Sequence, residues 1–158
     1  MAAFDQGRYQ EAEDLFWQLY QLEPGGAVLG LSEVYMAEKR QDEAIRLLAA
    51  ELEKDPRSTE LRMGLGNLFV RTEQYDKGIA EFQRVLDTRG NLTTETIANL
   101  YFRIAEAFRR KGDPNAAIRM FQRVSAICRS ESQRPDGTVV DRNHNAGHEP
   151  SRSGRTLL

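Results

Sequence analysis

Apolar residues recur along the chain at the three- and four-residue spacing of amphipathic helices, and breakers divide the pattern into segments. Proline lacks the amide that a helix interior needs, and glycine tolerates the left-handed conformation of a helix end. In the sharpest of these signals, Gly112 suits the position after a helix, Asp113 can cap the next helix and Pro114 fits its first turn. The pattern predicts seven helices, over residues 8–22, 27–38, 41–54, 58–71, 75–88, 93–111 and 113–128.

The helical segments also repeat. A small residue precedes a large apolar one by four positions at Ala12/Phe16, Ala44/Leu48, Gly78/Phe82 and Ala117/Phe121. A second echo, an apolar residue, a small residue and then an aromatic, precedes the last three copies at Leu31-Ser32 with Tyr35, Leu65-Gly66 with Phe69 and Ile104-Ala105 with Phe108. A period of about 34 residues is typical of helical repeat arrays. This pattern resembles the tetratricopeptide repeat.

The resemblance covers about residues 4–128 and implies an all-α fold. That fold is a right-handed superhelical α-solenoid of antiparallel helix pairs, here about three and a half repeats, and short connections favour antiparallel neighbours. After Cys128 the sequence becomes rich in Arg, Ser, Asn, Gly, Pro and Asp. Such a segment buries too little apolar surface to offset the entropy of ordering. We therefore predict a repeat domain over residues 1–128 and a disordered polar tail over 129–158.

Two irregularities change this picture locally. Five extra residues fall near 91–95, where Ile97 and Leu100 continue a helical stripe upstream, so the sixth helix is predicted to be longer by about a turn. The first repeat lacks nearly all of its first helix. The helix that bears Tyr9, Ala12, Phe16 and Leu19 is therefore expected to present an uncovered apolar face, which a second copy of the chain could cover.

Composition limits the functional class. The chain is 40% hydrophobic and 29% charged, its net charge is −2, and no apolar stretch reaches the ~18 residues of a membrane span, so we predict a cytoplasmic protein without membrane contact. Residues 1–60 carry 13 acidic and 6 basic side chains, whereas residues 61–128 carry 7 acidic and 11 basic. The array therefore has an acidic and a basic end. The single cysteine, Cys128, excludes an internal disulfide.

Residues 1–128 contain no histidine, the commonest general base, and no phosphate-binding glycine loop or paired-cysteine motif. His144 and His148 lie in the predicted tail, without the further ligands that a metal site needs. We therefore predict no enzymatic activity, no cofactor and no metal.

The resemblance further implies a concave groove lined by the first helix of each pair. Asn67 matches a place where the family often holds a bound peptide's backbone. Arg103 and Arg109 would meet an acidic side chain or a terminal carboxylate, and Met63 and Phe102 would receive apolar groups. The predicted groove residues are Glu33, Met36, Met63, Asn67, Arg71, Asn99, Phe102, Arg103, Glu106 and Arg109.

Three functional hypotheses follow. The leading one is a noncatalytic scaffold or adaptor that binds a partner peptide or helix in the groove. The second is a structural or self-associating segment, through the N-terminal helix and the oppositely charged ends. The third, which we disfavour because the charge density is modest, is nucleic-acid binding through Arg103, Arg109, Arg110 and Lys111 near Tyr101, Phe102 and Phe108.

Overall fold

The computed structural model describes residues 8–88 and 92–132, and over those ranges it contains seven helices and no strand. The prediction of an all-α fold is confirmed, with every predicted helix in place. The helices are α1 (Tyr9–Tyr20), α2 (Pro24–Ala37), α3 (Gln41–Lys54), α4 (Thr59–Arg71), α5 (Tyr75–Asp87), α6 (Thr94–Lys111) and α7 (Pro114–Ser132).

Two helix boundaries differ from the prediction by three residues or more. Helix α2 begins at Pro24 instead of residue 27, because proline already has a helical φ and the first turn needs no amide donor there. Helix α7 continues to Ser132, four residues past the predicted domain boundary at 128, because no glycine or proline interrupts it before Pro135. The remainder of the predicted tail, residues 133–158, lies outside the described residues.

The helices stack in sequence order. Each one packs against the next, and α2 also contacts α4. Connections of only two or three residues join α2 to α3, α4 to α5 and α6 to α7, so each of these pairs reverses the chain direction. The first helices of the pairs, α2, α4 and α6, therefore come to lie on one side of a helical solenoid.

The same backbone turn closes each of the three helix pairs. Lys39 and Glu73, both at φ 63°, and Gly112, at φ 90°, follow α2, α4 and α6 in the left-handed region. The next amide then reaches back five residues to a carbonyl oxygen, which is the bond that ends a helix in a Schellman motif. These bonds join Arg40 to Tyr35 (2.8 Å), Gln74 to Phe69 (2.7 Å) and Asp113 to Phe108 (2.9 Å).

The positions of these turns confirm the repeat. Their spacings, 34 residues from Lys39 to Glu73 and 39 from Glu73 to Gly112, match the sequence period and its five-residue insertion. The insertion lengthens α6, which has 18 residues where α2 has 14 and α4 has 13. Thr93 Oγ1 caps this longer helix by accepting from the Thr96 amide at 3.1 Å.

We expect Glu73→Gly to raise the free energy of unfolding by about 0.5–1 kcal/mol, because glycine relieves the left-handed strain of a residue with a Cβ. Gly112→Ala should lower it by about 1 kcal/mol. A Cβ at Gly112 would meet nothing within 4 Å, so the loss in free energy of unfolding would come from the backbone conformation alone. Urea unfolding of the purified variants measures both. A stabilising Gly112→Ala would contradict the role of the turn.

The core runs along the solenoid as three apolar clusters. One lies among α2, α3 and α4, a second joins α5 to α6, and a small third joins Ala12 of α1 to Val34 of α2. Gly66, Gly78 and Phe82 meet between α4 and α5, as their spacing predicts. The largest fully buried side chains in these clusters and beside them include Phe82, Leu31, Leu48, Leu68, Leu100 and Ile104.

The uncovered face of α1 is not the predicted one. Ala12 is buried, and Tyr9 and Phe16 pack with it against α2 because the close approach at Gly30 admits the Phe16 ring. Of the four predicted residues, only Leu19 belongs to the exposed face. The side chains that remain exposed on this face are Leu15, Leu19 and Leu22.

Candidate functional site

The first helices of the three pairs form a groove with a cavity of about 700 Å³. Seven of the ten predicted groove residues line it: Glu33, Asn67, Arg71, Asn99, Phe102, Arg103 and Glu106. The other lining residues are Val70, Phe82 and Arg110.

The spacing of residues on α6 explains why they share the groove. Asn99, Arg103, Glu106 and Arg110 follow one another at steps of four, three and four residues, so they lie on one face of the helix. Arg110, which was not among the predicted groove residues, is the next member of this series. The same three- and four-residue steps bring Asn67 and Arg71 together on α4.

Arg103 lies at the centre of the groove and bridges two helices. Its Nη1 donates to Asn67 Oδ1 of α4 at 2.7 Å, and its Nε donates to Asn99 Oδ1 of α6 at 2.6 Å. Both acceptors are neutral amide oxygens, and no carboxylate of the described chain forms an ion pair with this guanidinium. Arg103 is therefore held in a fixed orientation while its positive charge is left uncompensated.

An ion pair spans the groove between α2 and α4. Arg71 Nη1 lies 2.6 Å from Glu33 Oε1 and 2.7 Å from Glu33 Oε2. Both side chains are about half exposed, so the pair contributes little to stability. The two charges neutralise each other, so a ligand could bind either side chain only by breaking this ion pair.

The Arg109 side chain pairs with a residue of its own helix and does not line the groove. It donates from Nη2 to Glu106 Oε2 at 2.8 Å, one helical turn earlier. The hydrogen bond holds the pKa of the Glu106 carboxyl below its usual range and raises the pKa of Arg109. Arg110 lines the cavity and forms no ion pair within residues 8–88 and 92–132, although its charge also helps to lower the pKa of Glu106. A ligand carboxylate would therefore meet Arg110 in place of Arg109.

The apolar part of the groove centres on Phe102. Its side chain is 50% exposed, and its ring meets Phe121 edge to face with centroids 5.7 Å apart. Val70 of α4 contributes a second apolar surface. An apolar side chain of a ligand could pack on this surface, next to the guanidinium group of Arg103.

The two predicted methionines lie elsewhere. Met63 lines an adjoining cavity of about 450 Å³ together with Glu60 and Glu95, and Asn99 lines both cavities. Met36 packs against the core cluster of α2, α3 and α4. Along α6 the groove therefore changes from Glu95 near the helix N-terminus to Arg103 and Arg110 near its C-terminus, where the carboxylate of Glu106 is neutralised by Arg109.

Two family models, both described as tetratricopeptide repeat, match residues 3–51 and residues 57–130. The chain is a tetratricopeptide repeat protein. A search of the curated proteins found no match.

Solved structures with the same tetratricopeptide-type fold include MamA proteins. MamA from Desulfovibrio magneticus RS-1, residues 41 to the end, is 24% identical with a TM-score of 0.62, and the match covers 82% of this chain and 72% of that one. Another MamA crystal structure is 16% identical with a TM-score of 0.66, covering 87% of this chain and 73% of that one. At these identities the likeness concerns the fold, and it confirms the predicted α-solenoid.

Membership of the tetratricopeptide repeat family supports a role in protein interaction. Over residues 8–88 and 92–132, no three of the His, Cys, Asp and Glu residues are grouped as a metal site would need. In the same part of the chain, no helix combines the length and the apolar character required to cross a bilayer.

Several side chains that nucleic-acid binding would require already have partners within the protein. Lys111 pairs with Asp76 at 2.5 Å, Arg109 pairs with Glu106, and Phe108 packs against the core cluster of α5 and α6. Stacking on bases requires exposed rings, and Phe102 is the large exposed aromatic on this helix.

Proposed function

We propose that this protein is a noncatalytic scaffold that binds an extended peptide segment of a partner in the groove formed by α2, α4 and α6. The observation that carries the proposal is Arg103, held between Asn67 and Asn99 with its charge uncompensated beside the exposed ring of Phe102. A carboxylate is the natural ligand for such a guanidinium, because charge-assisted forked hydrogen bonds are strong and directional.

The same groups define what the peptide should contain. Arg103 and Arg110 favour an acidic side chain, and Phe102 and Val70 favour an apolar one next to it. Asn67 already accepts from Arg103 through Oδ1, so its Nδ2 hydrogens are available to a peptide carbonyl oxygen. The partner is therefore expected to carry an acidic residue close to an apolar residue.

The change of charge along the groove gives the peptide a direction. Glu95 and Arg110 are 15 residues apart on α6, which is about 22 Å along the helix. An extended chain rises about 3.3 Å per residue, so about seven residues span this distance. A basic residue facing Glu60 and Glu95 and an acidic one facing Arg103 would fix the orientation of the peptide.

We expect Arg103→Ala to weaken peptide binding by about tenfold or more, because a hydrogen bond to a charged group contributes about 1.5–3 kcal/mol. The probes are peptides selected by the wild-type protein from a randomised displayed library and then measured by calorimetry. Arg103→Lys, which retains the charge and loses the fork, should recover part of the affinity.

The matched control is Arg119→Ala, which removes an exposed arginine of α7 outside the groove. It should leave the affinity unchanged, and circular dichroism should show the same helix content in all variants. If selected peptides bind Arg103→Ala and Phe102→Ala as tightly as the wild type, the proposed groove is wrong.

A further inference from the structure

Large exposed apolar side chains lie only at the two ends of the described solenoid. Four are in or directly after α1, namely Leu15, Leu19, Leu22 and Trp17, and two are in the last pair, Phe102 of α6 and Ile118 of α7. The middle helices α2 to α5 contribute none to this set. Apolar surface confined to the ends is what an association between chains would use.

Leu15, Leu19 and Leu22 form the N-terminal stripe, together with Glu11 one turn before Leu15. Leu15 and Leu19, 54% and 38% exposed, share one face of α1, and Leu22, 85% exposed, lies in the turn directly after the helix. Helix α1 carries three carboxylates and no basic residue. One carboxylate, Glu13, is used internally by Tyr35 and Arg40. On the outer side, Glu11 forms an exposed ion pair with Arg8 at 3.1 Å, which contributes little to stability and which a basic residue of a partner could replace.

The C-terminal stripe lies on the outer face of α7 and consists of Ile118, Gln122, Ser125 and Arg129, all exposed. Its spacing of four, three and four residues again places it along one line of the helix. Arg119 lies beside it. Neither Arg119 nor Arg129 forms an ion pair within the described ranges, so this face is positively charged and available.

The two stripes match at their ends, since each has an apolar residue at one end and the other ends carry opposite charges. Ile118 and Arg129 are 11 residues apart on α7, which is about 16 Å along that helix. Glu11 and Leu22 are also 11 residues apart, with Leu22 in the turn that follows α1. Along the sequence, the N-terminal stripe runs from its acidic end to its apolar end, whereas the C-terminal stripe runs from its apolar end to its basic end. Antiparallel packing therefore brings Leu22 to Ile118 and Glu11 to Arg129 at the same time.

We propose that the N-terminal stripe binds the C-terminal stripe of a second copy of this chain, head to tail. Such a contact joins two different surfaces, so each added copy leaves one stripe of each kind open and the association continues into chains. The peptide groove is formed by α2, α4 and α6 and takes no part in the contact. The assembly therefore goes beyond the proposed peptide binding and repeats that site along its length.

Two blocked variants test the contact. The N-blocked variant carries Leu15→Glu and Leu19→Glu, and the C-blocked variant carries Ile118→Glu and Arg129→Glu. All four residues are exposed, so both variants should keep the wild-type helix content and unfolding midpoint. A single small interface is expected to be weak, so sedimentation is measured from about 1 µM to about 1 mM.

We expect the average mass of the wild type to rise with concentration above 18.0 kDa, and each blocked variant to stay at that mass. An equal mixture of the two variants should form a dimer and nothing larger, because one copy offers only the open C-terminal stripe and the other only the open N-terminal stripe. Monomeric wild type at every concentration, a monomeric mixture, or a C-blocked variant that associates by itself would each overturn the proposal.

The charge pairing has its own test. Glu11→Arg and Arg129→Glu should each weaken association, by about tenfold in the dissociation constant. The chain that carries both substitutions should recover it, since the pair is restored with reversed sign. Failure of the double variant to recover association would exclude the antiparallel register.

Discussion

Phe82→Ala is expected to lower the free energy of unfolding by about 3–5 kcal/mol. The Phe82 side chain is 1% exposed, packs in the cluster of α5 and α6, and reaches the backbone of Gly66 in α4. It therefore joins three helices of the array. Because a domain of this kind is stable by only about 5–15 kcal/mol, the variant should lose a large part of its stability. Urea denaturation followed by circular dichroism measures the change.

Phe102→Ala provides the matched control, because the same deletion is made at a side chain that is 50% exposed. Its cost should be about 1 kcal/mol or less, mostly from the lost edge contact with Phe121. Equal losses for the two variants would mean that Phe82 does not lie in a rigid core. Since Phe102 lines the groove, its substitution should instead affect peptide binding.

Gly78→Ala should lower the free energy of unfolding by about 1–3 kcal/mol, although alanine is the better helix former by about 1 kcal/mol. A Cβ at Gly78 would lie 2.9 Å from the Gly66 carbonyl oxygen and 2.6 Å from Val70 Cγ2. The backbone oxygen cannot rotate away, so α4 and α5 would have to separate. The sign of the effect is therefore the reverse of that expected from helix propensity.

Gly25→Ala in α2 is the control for this second variant, because a Cβ there meets nothing within 4 Å. It should leave stability unchanged or raise it slightly. Chemical denaturation of the two variants side by side separates propensity from close packing. A Gly78→Ala protein as stable as Gly25→Ala would show that the two helices tolerate greater separation.

The sequence predicts the helices of this fold well because its breakers are local. Gly112, Asp113 and Pro114 each act on backbone within three residues of themselves, and the structure confirms all three roles: Gly112 is left-handed, the Asp113 side chain accepts from the Ala116 amide at 2.9 Å, and Pro114 begins α7. The exposed face of α1 was predicted wrongly. Which side of an apolar helix is covered depends on contacts with α2, and those contacts are distant in sequence.

For the candidate site, too, some features can be predicted from the sequence and others cannot. The resemblance to the repeat family predicts which helix faces line the groove, and Asn67, Arg103 and Glu106 do line the cavity. It does not determine where a long side chain points. Arg109 turns to Glu106 within its own helix, while Arg110, one residue later, faces the cavity. Continuing the series from Arg103 by seven residues would have identified Arg110.

The left-handed residues Lys39 and Glu73 have a consequence for the length of this protein. Each helix pair closes through bonds made entirely within its own segment, so a pair needs no distant part of the chain to complete its turn. Duplication of residues 40–73 would therefore insert one more hairpin with intact junctions on both sides. An array of this design can grow in evolution by whole modules, and each module would widen the surface offered to a partner.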